Sequence, residues 1–398
     1  MIEKKVVESL VYLLRVSQCR ELFEKGKTGL TIDDFPQVTS SEALPCCSAR
    51  SFFSALSEKD WDSVFELSCL SGVDALLFDA ISLIKQDTQY FSSLNLSRNI
   101  FYEWMSAAFD TETDYEHKKK AISELSALYS KHGFRMMLLK GYGLSLNYLI
   151  PNHRTSGDID IYLFGKWREA DNALRKKEHI DVKTDVHHHT TFFFQGVHVE
   201  NHFDFVNIQA HLSNRRLEKI MKRLALDENE TISVLGQRVY IPNPQLNALF
   251  LLRHMAMHFA AERIILRHVM DFACFMQCNK SRIDFKFLQE VAKRENMDRF
   301  LSIVIRISER ITGFDFLINE YLSPVDEKLL NRVFNDILSP EWTLSHPDTR
   351  NLFRIFIYRF RRWRANSWKH NIVFTESLFL TFVMQFFSHL YKPKSLFR

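Results

Sequence analysis

Two carboxylates at alternating positions give this sequence its clearest chemical signal. Asp158 and Asp160 flank Ile159 inside a short run with the alternation of a β-strand. Residues two apart in a strand point to the same face, so the two carboxylates project together. They repel each other unless a cation lies between them, and Mg²⁺ prefers such oxygen ligands. The pair therefore predicts a divalent-cation site, although a solvated strand edge can show the same spacing.

A lysine- and glycine-containing turn lies upstream of this pair. Residues 138–145, LLKGYGLS, have the pattern of an apolar strand that runs into glycines and then into a helix. Glycines at a helix N-terminus expose backbone N–H groups and allow a phosphate to approach closely. The Ser145 hydroxyl offers a further donor, and Arg154 offers a cationic fork for phosphate. The segment predicts a triphosphate-binding turn beside the carboxylates.

Together these motifs resemble the signature of polymerase-β-type nucleotidyltransferases. The shared pattern is an apolar strand, Lys-Gly-x-Gly-x-Ser, a helix, an arginine and Gly-Asp-Ile-Asp-Ile. More narrowly, residues 139–141 (LKG) and 154–160 (RTSGDID) resemble the core of an uncharacterised bacterial nucleotidyltransferase family. The resemblance runs from about Trp61 to Phe275. One departure is that Leu144 separates Gly143 from Ser145, where the superfamily has an adjacent Gly-Ser pair.

The resemblance implies a third carboxylate on a neighbouring strand and a two-metal reaction. Glu200 and His202 match a V-E-x-H pattern of the family, and Asp204 is the alternative carboxylate because it shares their strand face. Asp158, Asp160 and Glu200 would hold Mg²⁺ or Mn²⁺, and Glu200 would help to deprotonate the acceptor. The residues implied to contact the nucleoside triphosphate are Lys140, Gly141, Gly143, Ser145, Arg154 and His202.

The activity implied is transfer of a nucleoside monophosphate from a nucleoside triphosphate to a hydroxyl-bearing acceptor, with release of pyrophosphate. The sequence does not name the acceptor, which is a small molecule, a protein or an RNA. One alternative is a nucleotide-binding module that keeps the fold without turnover. Another is a toxin-like enzyme that modifies RNA or protein, and the basic, aromatic stretch 354–369 is its only support.

The fold expected from these elements is α+β, with a small mixed-sheet, polymerase-β-like nucleotidyltransferase domain flanked by helical N- and C-terminal regions. The boundaries are 1–130, 131–242 and 243–398. Helical periodicity stops at Gly133, and strand-like runs at 135–140, 158–163, 190–195 and 197–206 follow, with a helical segment at 167–177. Residues 231–241 predict a hairpin around Leu235 and Gly236, and helical texture returns at 242–244.

Composition narrows the class of protein further. Of 398 residues, 46% are hydrophobic, while only 11 are glycine and 9 are proline, which favours a buried core and long helices. The numbers of basic and acidic residues, 52 and 48, are nearly equal, so the net charge of +4 does not by itself imply nucleic-acid binding. The six cysteines lack a CxxC pair and predict free thiols in a reducing cytoplasm. We expect no signal peptide and no transmembrane segment, and the oligomeric state is not predicted.

Two histidine groups and one helix carry weaker signals. Adjacent histidines in a strand alternate faces, so His187-His188-His189 is not expected to bind one metal ion together. His254 and His258 share a helix face, as do Arg267 and Asp271, for which a salt bridge is favoured over contact with nucleotide. In the stretch 354–369 we expect a buried aromatic face and a solvated basic side. The residues expected on that buried face are Ile355, Phe356, Tyr358 and Phe360.

Overall fold

A computed structural model describes residues 2–26, 30–36, 48–184, 188–227, 229–342 and 351–381. His187, Cys46 and Cys47 lie outside the described residues. The four described cysteines, Cys19, Cys69, Cys274 and Cys278, are free, as the sequence predicts. Within the described ranges, no helix combines the length and the apolar character that crossing a membrane requires.

Helices precede the sheet, and the longest of them ends where the sequence predicts. Phe134 donates its N–H to the Tyr129 carbonyl at 2.9 Å, and Gly133 has a φ of 79°. This left-handed residue and its backbone bond form a glycine C-cap, so the chain turns there towards the sheet. The helices are α1 (Lys4–Ser17), α2 (Arg20–Lys25), α3 (Ala49–Ser54), α4 (Glu58–Ser71), α5 (Asp74–Ile84), α6 (Thr88–Phe91) and α7 (Arg98–Lys131).

A six-stranded mixed sheet follows, in the order β3-β4-β2-β1-β6-β5. The central strand β1 is antiparallel to β2 and parallel to β6, and β2 is parallel to β4. Hairpins β3–β4 and β5–β6 close the two sides. The strands are β1 (Met137–Leu138), β2 (Ile159–Tyr162), β3 (His189–Phe194), β4 (Val197–His202), β5 (Glu230–Val234) and β6 (Gln237–Ile241).

The predicted hairpin at 231–241 is confirmed, and its turn explains the register. Leu235 and Gly236 both have positive φ, 47° and 84°, which suits a two-residue turn between twisted strands. The helices around the sheet are α8 (Tyr142–Ser145), α9 (Trp167–Lys177) and α10 (Leu212–Leu224). Helix α9 has the predicted bounds, whereas α10 was not predicted, and β1 is only two residues long.

The two faces of the sheet have different environments. Ile159, Ile161 and Val199 pack in a core with residues of α7 and α9. Asp160 and Glu200 are direct partners in the parallel β2–β4 ladder, and alternation places both on the opposite face. The sheet therefore buries its apolar residues on one side and presents carboxylates on the other.

Further helices follow the sheet in the described part of the chain, and residues of the first two face its polar side across a cleft. They are α11 (Pro244–Ala261), α12 (Leu266–Asn279), α13 (Phe285–Arg294), α14 (Asp298–Thr312), α15 (Glu327–Leu338), α16 (Leu352–Ala365) and α17 (Ser367–Val373). Helix α1 packs against α14, and Leu10 belongs to the same hydrophobic core as Ile307. Helices from both ends of the chain therefore share a core, and the division at 130 and 242 stays a prediction.

Helix α16 differs from its predicted packing. Ile355 is buried at 1% exposure, but Phe356 and Phe360 are 48% and 43% exposed. The prediction of a buried Phe356/Phe360 face is therefore wrong for the part of the chain described. Their rings stack on one another, with centroids 6.4 Å apart, which shields part of this aromatic surface.

Candidate active site

Three carboxylates meet at the polar face of the sheet, where β2 and β4 run side by side. Glu200 has a ligand atom within 4.8 Å of one on Asp158, and also within 4.8 Å of one on Asp160. The Asp160 side chain is 8% exposed, whereas that of Asp158 is 47% exposed. The register of the parallel strands β2 and β4 thus brings Glu200 to the two aspartates, from which it is separated by about forty residues of sequence. This donor set fits a hard divalent cation, which takes carboxylate oxygens.

Asp160 is held ionised by Lys140 and His202. Lys140 Nζ lies 2.9 Å from Asp160 Oδ1, and His202 Nε2 lies 3.1 Å from the same oxygen. Burial alone would raise the pKa of Asp160, but the charge of Lys140 and the hydrogen bond from His202 hold it well below its usual value. Lys140, expected at the phosphates, here neutralises a carboxylate.

Glu200 is bracketed by two histidines. Its Oε2 lies 3.4 Å from His202 Nε2, and its Oε1 lies 3.4 Å from His189 Nε2. Burial opposes ionisation of Glu200, but His202 and His189 lower its pKa overall. Burial likewise opposes the charge on His202, while hydrogen bonds to Asp160 and Glu200 raise its pKa above 6.5. The imidazoles orient Glu200 and keep it anionic.

Asp204, the alternative third carboxylate, points elsewhere. It forms an ion pair with Lys222 and lies near Glu218. Burial and the neighbouring Asp204 raise the pKa of Glu218 to about 7, and Glu218 accepts the backbone N–H groups of Phe205 and Val206. The structure therefore brings Glu200, and not Asp204, to the aspartate pair.

Arg154 is fixed by a partner far away in the chain. Its Nε and Nη2 donate to the Asp271 carboxylate at 2.6 and 2.7 Å, and Tyr148 Oη donates to the same carboxylate at 2.7 Å. The favoured Arg267–Asp271 helix pair is therefore wrong, because Arg154 takes this carboxylate. Arg154 Nη1 is buried without a hydrogen-bond partner, and the Arg154 residue lines the cleft.

The glycine turn acts mainly through its backbone. Gly141 adopts φ 58° and ψ −122°, a conformation that favours glycine, and it begins helix α8. A Cβ on Gly143 would lie 3.4 Å from the Ile241 side chain, which is an ordinary van der Waals contact, so α8 lies directly against β6 here. Ser145 is buried at 1% exposure, and its hydroxyl donates to the Tyr142 carbonyl at 2.7 Å. Gly143 and Ser145 thus build the turn that presents Lys140 and Gly141.

We expect Gly141→Ala to reduce the free energy of unfolding by about 1–3 kcal/mol, because alanine at this φ and ψ is strained even where space exists. Gly157→Ala is the matched control. A Cβ there meets nothing within 4 Å and φ is not left-handed, so its effect should stay below about 0.5 kcal/mol. Urea unfolding measures both, and equal effects would contradict the strain argument.

Helices α11 and α12 form the opposite wall of the site. His254, His258 and His268 line a cleft of about 490 Å³ together with Arg267 and the carboxylate face. His254 and His258 have ring centroids 4.5 Å apart, as their helical spacing predicts. The wall therefore adds imidazoles and one guanidinium opposite the carboxylates.

Residues 57–313 match the family described as uncharacterised nucleotidyltransferase. The chain belongs to this family. The match begins with α4 and ends just after α14, so it includes the whole sheet and the cleft. It confirms the nucleotidyltransferase family predicted from the motifs, while the narrower bacterial family stays a prediction.

No curated protein matches the chain. One solved structure is similar, a "crystal structure of an antigenic nucleotidyltransferase-like protein from Paracoccidioides brasiliensis". The sequence identity is 14%, the TM-score is 0.30, and the alignment covers 41% of this chain and 77% of that one. Because this structural similarity is low, the assignment to a nucleotidyltransferase family rests on the family match and on the geometry of the site.

Sequence reasoning missed His198 and His268, and it gave His189 only a weak signal as part of the histidine run 187–189. His189 approaches Glu200, His198 Nδ1 lies 3.2 Å from Asp158 Oδ2, and His268 lines the cleft. A signal was present for His198, because it alternates with Glu200 and His202 along one strand face. His268 had no such signal, because its place in the cleft depends on packing between separate elements, and the approach of His189 to Glu200 depends on the pairing of β3 with β4.

The cleft histidines predict acid sensitivity. Burial and the nearby Arg267 lower the pKa of His268 to about 3, and its Nδ1 accepts the Ile265 N–H at 3.1 Å. The unfolded chain therefore takes up this proton first, near pH 6.5, as the pH falls. Its contribution to stability is complete above pH 6.5 and is lost progressively towards pH 3.

We expect His268→Gln to lessen the fall in unfolding free energy between pH 7 and pH 5 by about 2 kcal/mol, since one pH unit corresponds to about 1.4 kcal/mol per proton. Urea unfolding at both pH values measures this. His117→Gln, an exposed histidine on α7, is the control and should keep the wild-type pH dependence. An unchanged dependence in His268→Gln would contradict the expectation.

Proposed function

We propose that the protein transfers a nucleoside monophosphate from a nucleoside triphosphate to a hydroxyl-bearing acceptor and releases pyrophosphate. The observation that carries this proposal is the convergence of Asp158, Asp160 and Glu200 in a cleft that also contains Lys140 and Arg154. Family membership supports the same class of reaction. Acidic residues beside cationic ones suit a metal-bound triphosphate, which carries both signs of charge.

Asp158, Asp160 and Glu200 would hold the Mg²⁺ or Mn²⁺ ions. A carboxylate oxygen of Glu200 lies within 4.8 Å of one on each aspartate, so Glu200 is placed to share an ion with either. When bound, the ions lower the pKa of the attacking hydroxyl and neutralise the triphosphate and the leaving pyrophosphate.

The cationic side chains complement this arrangement. Lys140 neutralises Asp160 in the free protein, and it would be available to the phosphates if Asp160 held a divalent cation that took over that charge. Arg154 is held by Asp271 and keeps Nη1 for a phosphate oxygen. Both cations would be positioned before the substrate arrives, which lowers the cost of organising the transition state.

The transfer itself is a displacement at the α-phosphorus. The acceptor oxygen forms the new bond, and the bond from the α-phosphorus to the bridging oxygen of pyrophosphate breaks. Glu200, kept anionic by His189 and His202, is placed to receive the proton of the acceptor hydroxyl. Few protein groups are needed, because such reactions depend on positioning and charge stabilisation.

Incubation with each α-labelled nucleoside triphosphate, Mg²⁺ or Mn²⁺, and cell extract tests this function. We expect label on one acceptor class, a protein, an RNA or a small molecule, and its loss in Glu200→Gln. Asp204→Asn is the matched control, because this nearby carboxylate is paired with Lys222 away from the cleft. Nucleotide binding without transfer, for every triphosphate and both metals, would contradict the proposal and favour a binding module.

A further inference from the structure

Three histidines from two strands form a cluster beside the carboxylates. His188 directly precedes β3, and His189 and His202 are register partners in the antiparallel β3–β4 ladder. One nitrogen from each ring lies within 4.8 Å of the other two. Although neighbouring strand residues alternate faces, His188 lies before the regular strand and turns into the same cluster.

The spacing of the rings matches a shared metal ion. The centroids are 4.5 Å apart for His188 and His189, 5.5 Å for His188 and His202, and 5.1 Å for His189 and His202. Three imidazoles bound tetrahedrally at the usual Zn–N distance of about 2.0–2.1 Å have centroids about 5 Å apart. The cluster is thus close to a ligand arrangement without movement of the backbone.

The carboxylates orient two of these rings for metal binding. His202 Nε2 faces Asp160 and Glu200, and His189 Nε2 faces Glu200. The Nδ1 atoms of His189 and His202 are buried and have no hydrogen-bond partner. An imidazole that donates from Nε2 keeps a lone pair on Nδ1, and a carboxylate behind a histidine is the usual support for a metal ligand.

We propose that His188, His189 and His202 bind one divalent transition-metal ion of the zinc class, distinct from the Mg²⁺ or Mn²⁺ of the carboxylates. Imidazole nitrogen suits Zn²⁺, whereas Mg²⁺ prefers oxygen, so the two neighbouring sites select different ions. Three protein ligands leave a fourth position open. His188 is partly exposed and lines the cleft, so that position is accessible from the substrate side.

The test uses the full chain, stripped of metal by chelation and then dialysed. We titrate it with Zn²⁺ or Co²⁺ in millimolar Mg²⁺, which occupies oxygen sites, and we measure bound metal per chain by elemental analysis. We expect one Zn²⁺ per chain, and intense visible absorption of Co²⁺ in a tetrahedral nitrogen site. His188→Gln and His189→Gln should each weaken binding by at least about tenfold.

His211→Gln is the matched control and should bind metal as the wild type does. His211 is also buried with an unpartnered Nδ1, but it stacks on Phe374, and the His370 ring is 6.4 Å away. Circular dichroism confirms that the variants fold. The proposal is overturned by absence of uptake, by complete displacement of Zn²⁺ by Mg²⁺, or by wild-type affinity in both cluster variants. The weak absorption of octahedral Co²⁺ in the wild-type protein would overturn it independently.

Discussion

Asp160→Asn is expected to lower the rate of nucleotidyl transfer by about 10³-fold, which corresponds to about 4 kcal/mol of transition-state stabilisation. The amide keeps the shape of the side chain but removes the charge that would bind a cation. Asp160 is also the acceptor shared by Lys140 and His202, so the variant leaves both of these side chains without their anionic partner. The measurement is single-turnover transfer from an α-labelled nucleoside triphosphate at saturating Mg²⁺.

Two comparisons make this result specific. Nucleotide binding measured separately shows whether the loss lies in the chemical step, and thermal unfolding shows whether the variant is folded. Asp204→Asn removes a carboxylate from the same region, paired with Lys222, and should keep transfer within about threefold of wild type. A rate for Asp160→Asn within tenfold of wild type would remove this carboxylate from the active site.

Arg154→Gln is expected to reduce the free energy of unfolding by about 3–5 kcal/mol. The Arg154–Asp271 pair is buried, and loss of the guanidinium leaves the Asp271 carboxylate with the hydrogen bond from Tyr148 and the more distant charge of Arg267. Breaking one side of a buried ion pair is costly because the remaining charge cannot regain its hydration. Urea unfolding measures the loss directly.

A double-mutant cycle separates the pair from its surroundings. Asp271→Asn in the Arg154→Gln background should restore part of the lost stability, because no unpaired charge then remains. Lys120→Gln is the surface control, since the side chains of Lys120 and its partner Glu124 are 68% and 47% exposed, and it should cost less than about 1 kcal/mol. Additive effects of Arg154→Gln and Asp271→Asn would show that the pair contributes no coupling energy.

Arg154→Lys addresses the proposed phosphate contact. Lysine keeps the charge, but it cannot contact Asp271 with two nitrogens and still present a third to the cleft. We expect weaker binding of the triphosphate beyond any change in stability. Nucleotide affinity measured below the unfolding transition tests this, and unchanged affinity would restrict Arg154 to a structural role.

Local pattern was sufficient for several features of this protein. The spacing of Asp158, just before β2, and Asp160, on β2, placed both on one face, and the glycine at 133 marked the end of α7. Leu235 and Gly236 marked the turn of the predicted hairpin, and both adopt the positive φ that such a two-residue turn requires. In each case the information lies within a few residues, where backbone sterics and side-chain alternation decide the outcome.

Partner choice required the tertiary structure. From the sequence, Arg267 was the natural partner of Asp271 one helical turn away, yet Arg154 takes that carboxylate from the far side of the cleft. Lys140 likewise pairs with Asp160, twenty residues further along the chain. The exposure of Phe356 depends on the tertiary packing of α16 and not on the local sequence pattern. A charged side chain binds the partner that the closed core brings nearest, and that proximity is not encoded in local spacing.

The carboxylate site depends both on local sequence and on the tertiary structure. The sequence alone determined that Asp158 and Asp160 share a face, because alternation is a property of any strand. Only the parallel pairing of β2 with β4 brought Glu200 to them, and only the β3–β4 register set His189 beside His202. Register depends on burying the apolar residues of every strand together, so it is decided by the whole sheet and not by one segment.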